Sequence, residues 1–515
     1  MRETGYYKNK DLGLIVVFIL SLIFTLSFGL VNILKFKIFS STCFGWHLFN
    51  SYLRIGAGKS IFDVYILPEF PIVMYLFAPI NYLIAFIYKL LPHPEILLVF
   101  QSIIMASGAP AVYLLTKHRL RNTYLAIAFS VSYLLNPIIS TGAILGYISP
   151  ALGLPFLLFA FYYLEKDDFK KFIFFIILAC ISKIDVVVMV LILGMILAFS
   201  KTKQRYGKAI LKISIIWLVV SFALCYILLK IKGRPFPVEM LHFDQYGDNL
   251  TYIIRHLLNN SWIILNNLFN AQNMLFYAFC FLPNILAFIS PLYLLPIIPE
   301  VLFLSIRNQH SSGLFLLLPF VFVAAIFGTG KIIKALADHK GFILKREPLC
   351  IALAGIILLF SLGTHYYIKP ISDFKDKLGV MPFTRGFSLK FYDPTKHTKT
   401  GYKFLKMIPV DSSCFASQSL AAHLGGVSYL GRTDRFTLAE NYAWDYIFLD
   451  LSKKDFYLIS DKDYFLRLKK FLVEDNYGVV GFEDGWLLLQ KGYKQDKNSE
   501  VLNYMNGVLL DEKKI

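Results

Sequence analysis

Long apolar runs, separated by short polar or basic stretches, fill residues 12–364 of this chain. They lack the alternation of a half-buried strand and the one-sided stripe of a surface helix, so each is apolar all round. About 20 such residues span a bilayer as a helix. The runs expected to cross are 12–34, 95–116, 122–140, 150–164, 169–182, 185–200, 209–229, 273–289, 290–306, 313–329 and 348–364, eleven in all. Several are short and need neighbours to cover their ends. The first is too long and unbroken for a signal peptide, and no small-residue cleavage site follows it.

The pattern changes at residue 365. The tail is richer in Asp, Lys, Ser and Gly. Tyr446-Ile447-Phe448-Leu449 reads as a buried strand, and Tyr477 to Gln490 as a hairpin turning at Glu483-Asp484-Gly485. Segments 398–408 and 461–473 have helical spacing. The expected fold is a mainly α, polytopic transmembrane helical bundle over residues 1–364, with a small C-terminal α/β domain over 365–515.

Composition agrees with the bundle. Of 515 residues 57% are hydrophobic and 17% charged, with mean hydropathy +0.58. A soluble protein holds roughly 25% charged residues, so a soluble multidomain enzyme is excluded. The net charge of +18 then concerns topology, and no nucleic-acid partner is implied. Eighteen Lys and Arg form five clusters: 2–10, 117–121, 166–171, 201–208 and 331–346. Such clusters mark cytoplasmic loops. Counting the apolar run 71–91 as a crossing would put the second cluster outside. That run holds Pro71, Pro79, Asn81 and Lys89, and reads better as a juxtamembrane helix within a long first external loop, 35–94. All five clusters and the N-terminus are then cytoplasmic, and the C-terminal domain is extracytoplasmic. The six cysteines include no CxxC pair, so a disulfide scaffold and a Cys-rich zinc site are excluded. Cys43 and Cys414 lie in more polar segments and are not read as a pair.

Chemistry is expected on the outer face. Ser182-Lys183-Ile184-Asp185 interrupts an apolar stretch of about 30 residues, and a Lys and an Asp at membrane depth are costly unless paired or hydrated. They either cap two short helices and neutralise each other or line a polar cavity. The first loop offers Trp46, His47, Asn50, Arg54, Lys59, Asp63 and Glu69. A carboxylate there suits a general base on a hydroxyl, although solvated loop charge is the simpler reading for Lys59 and Asp63. Glu69 lies between Pro68 and Phe70-Pro71, where the chain returns to the membrane. Arg307-Asn308-Gln309-His310 joins two expected crossings. Its guanidinium suits a lipid-linked phosphate, or equally lies among lipid headgroups. Gly328-Thr329-Gly330-Lys331 lacks the first glycine of a phosphate loop and reads as a helix terminus. HExxH, GxSxG and Rossmann glycine patterns are absent.

Several short motifs resemble one known family. They are Ile408-Pro409-Val410-Asp411-Ser412-Ser413-Cys414-Phe415-Ala416-Ser417 followed by Leu420 and His423-Leu424, Asp445-Tyr446-Ile447-Phe448-Leu449-Asp450, Tyr477-Gly478-Val479-Val480 with Glu483-Asp484-Gly485, Ser182-Lys183-Ile184-Asp185, and Asn136-Pro137 with a turn ending at Pro150. Together they resemble the multi-pass membrane family called domain of unknown function 2079, over roughly residues 40–490. That family resembles a branch of the GT-C superfamily of integral-membrane glycosyltransferases. The resemblance implies a polyprenyl-phosphate-linked sugar as donor at the outer face, and a first external loop with a juxtamembrane helix and an acidic catalytic residue. This chain departs from the pattern. Phe44-Gly45-Trp46 stands where the family has Phe-Asp-Gln. Gly146-Tyr147-Ile148-Ser149-Pro150 stands where it has Phe-Asp-Phe-His-Pro, with Tyr147 and Ser149 replacing Asp and His.

The expected function is sugar transfer from a polyprenyl-phosphate donor to a glycan, lipid or protein acceptor at the outer face of the cell membrane. Asp185, Glu69 and Asp63 are the candidate catalytic carboxylates. Lys183, Arg307, His310, Tyr147 and His47 are the candidate substrate-binding residues. No cofactor is implied, and nothing indicates a divalent metal. The alternative is a non-catalytic membrane protein that binds a polyprenyl lipid or a partner. A transporter would need paired broken helices in two related halves, and only the break at Lys183 is seen.

Overall fold

The computed structural model describes residues 11–40, 78–91, 93–144, 150–231, 246–247, 249–307, 314–337, 346–366, 389–424, 429–432, 443–452 and 461–511, with residues 55, 58, 65–67, 70–71 and 427. Helices dominate. The N-terminal part contains α1 (Leu12–Lys37), α2 (Ile80–Leu90), α3 (Pro94–Leu120), α4 (Thr123–Leu135), α5 (Pro137–Ile144), α6 (Pro150–Glu165), α7 (Phe169–Cys180), α8 (Ile184–Ala198) and α9 (Gln204–Ile231). It continues with α10 (Leu250–Asn259), α11 (Trp262–Leu268), α12 (Ala271–Phe281), α13 (Ile298–Arg307), α14 (Leu314–Ala337) and α15 (Arg346–Tyr366). Among the described residues five helices are long and apolar enough to cross a membrane, and six if the bent pair α4–α5 is one span. Other expected crossings fall on shorter apolar helices, including α6 and α8.

The surface is that of a membrane protein. Phe18, Leu22 and Leu26 on α1, Val219 and Phe222 on α9, and Leu359 on α15 are exposed, while Asn32, Gln101 and Ser102 are buried. Lipid solvates the first group. The second must find partners inside the bundle.

Contacts give the bundle two distinct ends. At one, Arg119 pairs with Glu165 at 3.1 Å, Lys203 pairs with Asp167 and donates to Leu164 O at 2.7 Å, and Arg346 Nη2 donates to Leu120 O at 3.2 Å. Asp167 and Asp168, in the turn between α6 and α7, are held below the usual carboxylate range: Asp167 by its hydrogen bond with Lys203, Asp168 by the backbone N–H of Lys171. Four of the five basic clusters thus meet at one end. At the other end Asn32 Nδ2, near the end of α1, donates to Leu98 O near the start of α3 at 3.2 Å. Tyr113 on α3 reaches back to Asp11 before α1 at 2.7 Å. These helices are antiparallel, so the chain between them leaves and re-enters at the same end. Among the described residues that segment holds α2, shorter than the expected run because Pro79 stands at its N-cap.

Two expectations need correction. The runs 273–289 and 290–306 are not continuous α-helices. After α12 come two 3-10 stretches, Ile285–Ile289 and Pro291–Ile297, before α13. Pro283, Pro291 and Pro296 remove backbone donors there, and apolar composition alone does not reveal the breaks. Gly328-Thr329-Gly330-Lys331 is not a helix terminus, because α14 continues to Ala337. A Cβ on Gly328 would lie 2.0 Å from Leu286 O, so the glycine lets α14 pack on the 3-10 stretch. The Gly328→Ala substitution is therefore expected to cost about 1–3 kcal/mol. Gly355→Ala, which faces open space, should be neutral. Melting of both variants in detergent tests this, and equal melting temperatures would refute the packing account.

The C-terminal part has α16 (Lys396–Leu405), α17 (Asp461–Val473), α18 (Asn498–Asp511) and a five-stranded sheet. The strands are β3 (Ser413–Ala416), β4 (Tyr429–Arg432), β5 (Tyr446–Asp450), β6 (Tyr477–Glu483) and β7 (Trp486–Lys491), in the order β4-β3-β5-β7-β6. The first three are mutually parallel, and β7 runs antiparallel to both β5 and β6. The hairpin turns at Asp484 and Gly485, both with positive φ, as a two-residue turn requires. Cys414 is a buried free thiol pushed up by burial, and Cys43 lies outside the described residues. A two-stranded ribbon, β1 (Tyr65–Leu67) with β2 (Phe70–Pro71), comes close to β4.

The chain just past the end of α1 enters this C-terminal core. Phe39 is 1% exposed and packs with Phe404, Leu420, Phe448 and Trp486. Its ring lies 4.6 Å from Tyr402 and 5.3 Å from Trp486. His423 stacks on Phe36 at 4.1 Å, and its Nε2 is 3.1 Å from Phe36 O.

Candidate functional site

The break between α7 and α8 is built by local capping. Ser182 Oγ donates to Ala179 O at 2.5 Å, closing α7. Lys183 is extended and precedes α8, and Asp185 occupies that helix's first turn, where a negative charge meets the positive end of the helix dipole. The Lys183 ammonium and Asp185 carboxylate are ion-paired, with side chains 12% and 14% exposed. At membrane depth each compensates the other's desolvation.

Three neighbours enclose the break. The N–H of Ile80, first residue of α2, donates to Ile181 O at 3.1 Å. A Cβ on Gly153 of α6 would lie 2.9 Å from Ser182 Oγ and 3.2 Å from Leu316 of α14. The helix within the first loop therefore begins against the Lys-Asp break.

Of the residues singled out in the sequence, Lys183 and Asp185 are brought together. Arg307 is the last residue of α13, and its side chain lies outside the described residues. His47, Asp63, Glu69, Tyr147 and His310 also lie outside them. Among the described residues no group of three His, Cys, Asp or Glu is placed to hold a metal ion.

A second polar group at this end went unnoticed in the sequence. Asn32 Nδ2 donates to Leu98 O and Ala143 O, both at 3.2 Å. Gln101 Nε2 donates to Gly142 O and Ser102 Oγ to Ala143 O, both at 3.0 Å. These bonds hold the tip of α5, five residues of sequence before α6. The same helix begins at a break where Asn136 Oδ1 accepts from Ile138 N at 3.0 Å and Asn136 Nδ2 donates to Phe279 O at 2.9 Å. The chain bends there by 50°. The signal available was the polar pair Asn32 and Lys35, one turn apart in a largely apolar helix.

An apolar helical bundle with buried polar breaks and a peripheral mixed sheet defines a multi-pass membrane protein. More narrowly, the chain belongs to the family described as "Predicted membrane protein (DUF2079)", whose model matches residues 76–488. Among solved structures it is similar to ArnT from Cupriavidus metallidurans in the apo state. The identity is 10% and the TM-score 0.47, covering 91% of this chain and 97% of that one. No curated protein matches the chain.

Proposed function

We propose that the protein is an integral-membrane glycosyltransferase that uses a polyprenyl-phosphate sugar at the outer face of the cell membrane. The observation that carries this reading is the shielded Lys183–Asp185 pair at a helix break against the start of α2. The motif resemblance to a family that itself resembles a branch of the GT-C enzymes supports the same reading. Basic clusters gathered at the opposite end favour a cytoplasmic N-terminus and an extracytoplasmic C-terminal sheet. The eleven-crossing arrangement belongs to this proposal, with the shorter apolar helices covered by their neighbours.

In the reaction, the acceptor hydroxyl oxygen attacks the anomeric carbon of the donor. The bond from that carbon to the phosphate oxygen breaks, and polyprenyl phosphate leaves with the bonding electrons. Asp185 accepts the hydroxyl proton. Lys183, beside it, steadies the carboxylate and the departing phosphate, with Arg307 as a further phosphate partner. Glu69 and Asp63 are the alternative bases, and His47, Tyr147 and His310 would contact the sugar or acceptor.

The test is release of polyprenyl phosphate by purified protein in lipid nanodiscs supplied with polyprenyl-phosphate sugars. Asp185→Asn, which keeps size and capping, is expected to lower turnover at least tenfold. Unchanged release would remove Asp185 from the chemistry. The second reading, a non-catalytic lipid- or partner-binding protein, is favoured by Gly45 and Tyr147 standing where the family has acids. Donor binding without release in the wild type would establish it.

A further inference from the structure

The end of the bundle that holds the Lys183–Asp185 pair also holds a buried cation with no counter-charge among the described residues. Lys35 lies in the last turn of α1 and is 7% exposed. It makes no ion pair among the described residues. Lys37, two positions on, is exposed and serves as the lysine that meets headgroups at a helix end. Lys35 is turned inward and is not needed for that.

The same helical face carries a further unmatched polar atom. Asn32 lies three residues earlier on the same helical face. Its Nδ2 is fully used by Leu98 O and Ala143 O, but its Oδ1 is buried without a donor. Among the described residues an ammonium and an amide oxygen thus stand unmatched one turn apart on α1, where Asn32 meets α3 and α5. Buried polar groups are normally satisfied, and an ionisable group at membrane depth marks a functional site.

We propose that Lys35 binds the phosphate of an isoprenoid phosphate lipid, with Asn32 Oδ1 accepting a hydrogen bond from the group the phosphate carries. The proposal rests on the transferase reading above and deepens it. Lys183 already has Asp185 as its counter-ion, whereas Lys35 has none among the described residues. An ammonium suits a phosphate as a compact charge with three donors, and a lipid-borne phosphate reaches this depth without leaving the bilayer.

Full-length protein in phosphatidylcholine nanodiscs would be titrated with farnesyl phosphate, farnesol and inorganic phosphate. The variants are Lys35→Met, of similar shape, and Lys35→Arg, which keeps the charge. Farnesyl phosphate is expected to bind Lys35→Met at least tenfold more weakly than wild type, and Lys35→Arg within a few-fold. Farnesol should not distinguish the three proteins. The ligand-free Lys35→Met protein should melt at a higher temperature than wild type, because an uncompensated buried charge is gone. A purely structural lysine would give the opposite shift. Inorganic phosphate binding as tightly, and with the same dependence on Lys35, would support the phosphate site and assign it to the free anion. Equal affinity of wild type and Lys35→Met for farnesyl phosphate would overturn the proposal, as would a lower melting temperature with unchanged binding. Lys35-dependent binding in a protein that releases no polyprenyl phosphate from sugar donors would keep the site and overturn the transferase reading.

Discussion

Phe39→Ala is expected to weaken the docking of the C-terminal sheet on the membrane bundle by about 3–5 kcal/mol, the usual cost of removing a fully buried aromatic ring. The ring is 1% exposed and lies among Tyr402, His423 and Trp486. Gly401 makes room for it: a Cβ there would stand 2.9 Å from the Phe39 ring and 2.7 Å from Trp486. Phe39 also has φ 53, a left-handed conformation that disfavours a bulky L-residue. Such strain persists where packing over-determines the backbone. That gives an unusual ordering: Phe39→Gly loses the same contacts but relieves the strain, so it should be more stable than Phe39→Ala by about 1 kcal/mol. Amide hydrogen exchange over 396–405 and 413–424 reads the docking, since local opening sets its rate. Unchanged protection in Phe39→Ala would show that the peg holds nothing.

Much of this fold was legible because lipid imposes a simple rule. A crossing helix must be apolar over its whole length, so α1, α3, α9, α14 and α15 each coincide with a run expected from hydropathy alone. The tail was legible for a different reason. Strand β5 is a short apolar run, and the β6–β7 hairpin announces itself through Asp484-Gly485. What stayed hidden depends on partners distant in sequence. Residues 285–297 are as apolar as their neighbours, yet adopt tight 3-10 turns where prolines remove donors. The need for glycine at 328 comes from a carbonyl 42 residues earlier, at Leu286. Within the candidate site, Lys183 and Asp185 were visible as two charges in an apolar stretch. Asn32 and Lys35 were less so, because a lysine near a helix end resembles an ordinary interfacial lysine until its burial is known.

His423 makes the same interface sensitive to acid. Burial pushes its imidazole down to about 3 from an ordinary 6.5, outweighing the upward pull of the hydrogen bond with Phe36 O. The titratable group facing it from α16 is Tyr402, whose ring meets it edge-on at 5.7 Å and is itself pushed up by burial. The docked ring is therefore neutral and donates Nε2–H to Phe36 O, while an undocked ring takes up a proton near 6.5. Between those two values the undocked state binds more protons, so docking is at full strength above pH 6.5 and weakens as pH falls towards 3. The slope is about 1.4 kcal/mol per pH unit, which makes the loss about 2 kcal/mol at pH 5. His423→Gln keeps a donor for Phe36 O but cannot take up the proton. Its exchange protection over 413–424 should start lower than that of the wild type at pH 7.5 and then stay level down to pH 5. A wild type whose protection, corrected for intrinsic exchange, is the same at pH 5 and 7.5 would mean that His423 remains reachable by water in the docked state.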